Sequence, residues 1–216
     1  MLPVRAAYRA WAATFDTETP VSLLDDLVVR AWTPIEPGPL LDVGCGTGRR
    51  LAGKTRAVGV DLSLDMLRQG RTVYGRQAVA AGDLRALPLP TATFAMVWCR
   101  LALGYLPALG PAYGELARVA APGGIVIVTD FHPEAVAAGH TRSFRDAAGT
   151  RHEVEHHAHT IEDHTRTAAA AGLGVGDVRH LVIGPEVREV YARAGRAAWY
   201  ARDRGLPLVL ALRLTR

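Results

Sequence analysis

The sequence predicts an α/β protein built on an open, mostly parallel sheet, and three observations carry that reading. Short apolar runs alternate with helix-length segments along most of the chain, the pattern of βαβ units. The first run, 40–43, opens directly into glycines at alternate positions, Gly44, Gly46 and Gly48. The next, 57–60, ends at Asp61, and in doubly wound sheets the end of that second strand lies beside such a glycine loop.

The elements follow in order. Val4, Tyr8, Trp11 and Phe15 recur at helical spacing, which predicts an amphipathic helix over 4–15, and a second helix is expected over 21–32. Three prolines and a glycine make 33–39 a loop. Apolar runs at 40–43, 57–60, 78–80, 94–98 and 125–129 read as buried strands, with Ser63 opening the helix after the second. Thr160 and Asp163 form a capping-box pattern, so a helix starts near Ile161 and ends at Gly172. The tail reads as a strand over 178–183, a helix over 186–204 and a strand over 208–214, the last two separated by Gly205 and Pro207.

Composition bounds the function. At 216 residues, with 49% hydrophobic and 21% charged, the chain suits one domain with a sizeable core, 1–216. The net charge of +4 suggests nucleic acid at first sight. Yet the 24 arginines are scattered and Lys54 is the only lysine, so no basic tail or stripe forms and nucleic acid is not the expected partner. Cys45 and Cys99 are too few for a disulfide framework, which fits a reducing, cytoplasmic setting. Arg5 and Arg9 interrupt what a secretory segment would need, and no apolar stretch approaches ~18 residues, so no membrane association is expected.

Leu40-Leu41-Asp42-Val43-Gly44-Cys45-Gly46-Thr47-Gly48 carries the chemistry. Alternating glycines let the backbone turn and approach a ligand, with the following N–H groups aimed at it. A dinucleotide fingerprint would place its third glycine one position later, and a phosphate-binding Walker loop would need Gly-Lys-Ser/Thr, so neither fits. Asp61 can accept from both hydroxyls of an unphosphorylated ribose, or simply cap the next helix.

These motifs, with AGDLRALPLP, FAMVWCRLALGYL and ELARVAAPGGIVIVTDFHP following in order, resemble the class I S-adenosylmethionine-dependent methyltransferases of the small-molecule type. The resemblance covers about residues 4–216. It implies a Rossmann-like fold, a seven-stranded mostly parallel sheet with an antiparallel last strand and helices on both faces. It further implies a lid from 1–33 and a substrate-covering insertion at 131–165. By similarity Asp42, Gly44, Gly46 and Gly48 surround the methionine half of S-adenosylmethionine. Asp61 holds the ribose, Leu62 and Met66 pack on the adenine, and Asp83 accepts from its amino group beside Leu84. Arg100 lines the cleft, and Tyr8, Trp11 and Phe15 match an aromatic helix closing over the cofactor or, equally, a helix face packed on the core. The implied reaction moves a methyl group to an oxygen, nitrogen or carbon of a small acceptor, leaving S-adenosylhomocysteine. RNA or protein methylation, or cofactor binding without turnover, are the rival readings. Many relatives carry a histidine after the fourth strand where this chain reads Leu103-Gly104-Tyr105-Leu106.

Seven of the eight histidines fall between His132 and His164. An acceptor that must lose a proton needs a base titrating near neutrality, which histidine supplies. His132, at the expected end of the fifth strand, is the first candidate, with capping of the next loop as its alternative. As a strand, RHEVEHHAH at 151–159 places Glu153, Glu155, His157 and His159 on one face, so His157 and His159 join the catalytic candidates. The cluster admits a metal-free polar pocket, a solvated strand or an open three-ligand metal site. No HExxH or cysteine-containing zinc pattern supports the last, and no metal ligand is assigned.

Overall fold

The computed structural model describes residues 1–35 and 38–216, so Glu36 and Pro37 of the expected 33–39 loop lie outside the described residues. In chain order the elements are α1 (Val4–Trp11), α2 (Pro20–Trp32), β1 (Leu40–Val43), β2 (Ala57–Asp61), α3 (Leu64–Tyr74), β3 (Val79–Ala81), β4 (Phe94–Arg100), α4 (Gly110–Val119), β5 (Ala120–Phe131), α5 (Pro133–Ala137), β6 (Ser143–Arg145), β7 (Arg151–Glu153), α6 (Ile161–Ala170), β8 (Gly174–Val182), α7 (Arg188–Arg193), α8 (Ala197–Asp203) and β9 (Pro207–Thr215).

Seven strands form one sheet in the order β3-β2-β1-β4-β5-β9-β8, in which β9 alone runs antiparallel to its neighbours. Period-two alternation sorts each strand's side chains to two faces. Leu41, Val43, Val97, Cys99, Val126, Val128, Leu210 and Leu212 meet Tyr113, Leu116 and Ala168 of α4 and α6. Leu40, Met96, Trp98, Ile127 and Ala211 meet Val28, Val29 and Trp32 of α2 on the other. Burying side chains of this size contributes roughly 1.5–3 kcal/mol each, so the two layers supply the main driving force for folding.

Local signals place the helix ends. Thr19 and Ser22 bond reciprocally to start α2, Ser63 accepts from Met66 N–H at α3, and Thr160 with Asp163 closes the expected capping box at α6. Three expectations need correcting. The first helix stops at Trp11, so Phe15 sits in the turns that follow. The 186–204 helix is broken into α7 and α8, with Gly195 between them at φ +67°. Residues 151–159 pair as a strand only over β7, which forms a hairpin with β6, and the rest runs unpaired.

Candidate active site

The sheet order reverses between β1 and β4, and ligands of open α/β sheets bind outside the strand ends at such a switch point. A cavity of about 990 Å³ opens there, at the upper end of the ~300–1,000 Å³ usual for small-molecule sites. Gly44, Asp61, Leu62, Asp83 and Leu84 form one wall, Tyr8, Trp11 and Phe15 lie on it from the N-terminal segment, and Arg100, Tyr105, His140 and Arg142 extend it away from the glycine loop.

Gly44 and Gly46 have φ of +76° and +59°, and a Cβ at Gly46 would lie 2.7 Å from the Phe15 ring. Only glycine lets the loop fit beneath that ring. Asp61 is buried at the end of β2. Its Oδ2 accepts from Gly46 N–H and its Oδ1 from Ser63 N–H, both at 2.7 Å, so it joins the loop to the start of α3. Burial pushes its carboxyl upward, and the two backbone donors pull the other way. Asp83 is forked by the Arg85 guanidinium, whose hydrogen bonds hold its carboxyl below the usual range.

Behind the loop sits a charge network that the sequence reading missed. Asp25 of α2 is fully buried and accepts from Arg100 at 2.7 Å, Arg50 at 2.9 Å and the Thr129 hydroxyl at 2.6 Å. Asp26 bonds Arg50 at 2.8 Å and also meets Arg100. Within reach of these charges, Asp42 is buried with Oδ2 unbonded, and desolvation pushes its carboxyl up to about 6. The N-terminal segment is pinned over the loop by Asp16, which accepts from Thr47 Oγ1 at 2.8 Å and Tyr74 OH at 2.9 Å. Trp11 stacks on Phe144 of β6 at 4.8 Å, joining α1 to the hairpin.

The three histidine candidates sit elsewhere. His132 is fully buried and N-caps α5 instead of facing the cavity. Its Nδ1 accepts from Glu134 N–H and its Nε2 lies 2.9 Å from His180 Nδ1. Pro133 starts the helix at once, which makes His132 the cap residue and turns its ring toward β8. His157 is exposed, its backbone N–H bonded to Gly104 O, and the His159 ring bonds Leu106 O at 2.8 Å. None of the three lines the cavity. Among the described residues no three His, Cys, Asp or Glu side chains converge as metal ligands.

Of the residues expected at the cofactor, Tyr8, Trp11, Gly44, Asp61, Leu62, Asp83, Leu84 and Arg100 line the cavity. Met66 is fully buried on the inner face of α3, while Gly46 and Gly48 pack under Phe15 and against Gln77, and Asp42 is buried and does not line the cavity. The wall suits S-adenosylmethionine. Leu62 is 42% exposed and lines it, an apolar seat for a flat base, and Asp61 lines the same cavity, where a ribose hydroxyl would bond. Sequence reading also missed Tyr105, His140 and Arg142. Asp25 alone carried a signal, a carboxylate inside the apolar stripe of Leu24, Val28 and Trp32, which demands a buried cation.

The family described as a methyltransferase domain matches residues 41–128. The chain is 36% identical over 163 residues to dTDP-3-amino-3,4,6-trideoxy-alpha-D-glucopyranose N,N-dimethyltransferase of Streptomyces venezuelae, covering 68% of each. It is 36% identical over 132 residues to the malonyl-[acyl-carrier protein] O-methyltransferase of Pseudescherichia vulneris, covering 58% of this chain and only 52% of that relative. The crystal structure of an S-adenosylmethionine-dependent methyltransferase from Mesorhizobium loti superposes with a TM-score of 0.67 at 23% identity, covering 89% of this chain and 98% of that one. The chain belongs to the class I S-adenosylmethionine-dependent methyltransferases, and S-adenosylmethionine is its cofactor.

Proposed function

We propose that the chain transfers a methyl group from S-adenosylmethionine to a small organic acceptor held in the same cavity, leaving S-adenosylhomocysteine. One observation supports the reading: a single cavity of about 990 Å³ is lined by Gly44, Asp61, Leu62 and Asp83 and also by Tyr105, His140 and Arg142, which the cofactor motifs do not use. In this reading Gly44, Asp61, Leu62 and Asp83 hold the cofactor. When bound, it supplies a methyl group already activated on a sulfonium. The protein's work is to align the acceptor and exclude water. Residues 1–16 cover the site, with Trp11 and Phe15 as its roof, and 131–165 contribute the acceptor side through Thr141 and Arg142.

The two curated relatives act on different atoms by their names, an amino-sugar nitrogen and a carboxyl oxygen, so similarity leaves the acceptor atom open. No helix among the described residues is long and apolar enough to cross a membrane. S-adenosylhomocysteine release measured against amines, alcohols, phenols and carboxylates, with bulk RNA and protein in parallel, tests the reading. Turnover is expected with a small molecule and unchanged between 50 and 500 mM salt. Turnover confined to RNA and suppressed by salt would contradict it.

A further inference from the structure

The histidine that reaches the cavity is one the sequence pattern did not favour. Gly139, at φ +87°, turns the chain out of α5, and His140 N–H reaches back to Ala135 O at 2.9 Å. That bond fixes the residue at the helix end and sets its ring into the cavity wall. Nε2 is buried and lies at ion-pair distance, 3.1 Å, from Asp203 Oδ2 on α8, without the angle of a formed hydrogen bond. Asp203 is itself held in a fork by Arg202, at 2.6 Å and 2.7 Å. His140 lines the cavity, and among the described residues its Nδ1 makes no hydrogen bond, so that nitrogen is free to meet an acceptor. An imidazole on a cavity wall, with one nitrogen unbonded and the other against a fixed carboxylate, is an arrangement a general base can use. The charged and titratable groups around the pair are Asp203 and Arg202 of α8, Tyr191 of α7, Arg196 between them, and Arg142 beyond α5.

We propose that His140, oriented by Asp203, is the catalytic base of this site, and that the acceptor is therefore a protic nucleophile, an amine or a hydroxyl. The inference rests on the methyl-transfer reading and narrows it. A carboxylate acceptor is already anionic at neutral pH and needs no base, whereas an ammonium or hydroxyl must give up a proton. In the step, the acceptor's N–H or O–H proton passes to His140 Nδ1. The acceptor's lone pair forms the new bond to the methyl carbon, and the carbon–sulfur bond breaks with its electron pair left on sulfur. The imidazolium is paired with the Asp203 carboxylate until its proton leaves to solvent.

The test compares the wild type with His140→Asn, His140→Gln and Asp203→Asn. The probes are 3-amino-3-deoxyglucose, benzylamine and catechol as protic acceptors, and malonyl-N-acetylcysteamine as the carboxylate. Calorimetric binding of S-adenosylhomocysteine runs in parallel. The wild type is expected to methylate a protic probe, and both His140 variants to lose about 10²-fold or more in kcat while binding S-adenosylhomocysteine within twofold of wild type. Asp203→Asn removes the carboxylate that positions the ring, so kcat is expected to fall about tenfold or more while the acceptor KM stays within twofold of wild type. Transfer to the carboxylate alone, no transfer to any protic probe, or undiminished turnover by the His140 variants overturns the proposal. Failure of the wild type to bind S-adenosylhomocysteine would instead strike the methyl-transfer reading beneath it.

Discussion

At the scale of single residues, two buried acids behave in opposite ways. Asp25 has three donors and stays in an ion-pair network, while Asp42, which feels the Asp25 charge, has an unbonded oxygen and a carboxyl pushed up to about 6. Because the folded pKa of Asp42 lies above the unfolded value, the stability tied to its neutral form is present below about pH 4. It is lost as pH rises through about 6. Asp42→Asn keeps the neutral shape at every pH. Urea unfolding from pH 4 to pH 7 should therefore show the variant gaining on wild type by on the order of 1–3 kcal/mol, and parallel curves would contradict the assignment. Arg100→Ala leaves Asp25 buried beside a single remaining arginine and should cost about 3–5 kcal/mol. Arg100→Met in an Asp25→Leu background should cost less, because no buried charge is then left unpaired.

At the scale of elements, the roof of the site is set by contacts that no sequence pattern displays. Aromatic spacing showed that 4–15 has an apolar face, and the structure divides it. Trp11 stacks on Phe144, and Phe15, beyond the helix, closes on Gly46. Phe15→Ala removes the ring over the glycine loop without touching the sheet. It should weaken S-adenosylhomocysteine about tenfold by calorimetry while lowering the melting temperature by only a few degrees. An unchanged affinity would make the segment a packing element rather than a lid. Strand starts, capping residues and the glycine loop were readable because each follows from local chemistry. The histidine segment was not, since alternation within 151–159 cannot reveal that pairing stops at Glu153. Nor can it reveal that a helix cap claims His132. His140 carries no local mark that separates it from its six neighbours, and its role depends on Asp203, 63 positions along the chain.

At the scale of the whole molecule, the sheet order and the cavity at its switch point account for the family likeness, and the scattered arginines find local explanations. Arg50 and Arg100 neutralise α2, Arg142 pairs with Asp130, and Arg202 steadies Asp203. These four guanidinium groups are each matched by a carboxylate, so the net charge of +4 comes from other residues. Everything proposed for the acceptor depends on the proposed cofactor seat between Gly44 and Asp83. Isothermal calorimetry of S-adenosylhomocysteine against the wild type and Asp61→Ala tests that seat most directly. The account predicts one site per chain in the wild type and a loss of about tenfold or more in the variant, with its far-ultraviolet circular dichroism unchanged. No binding by the wild type, or equal binding by a folded Asp61→Ala, would contradict it.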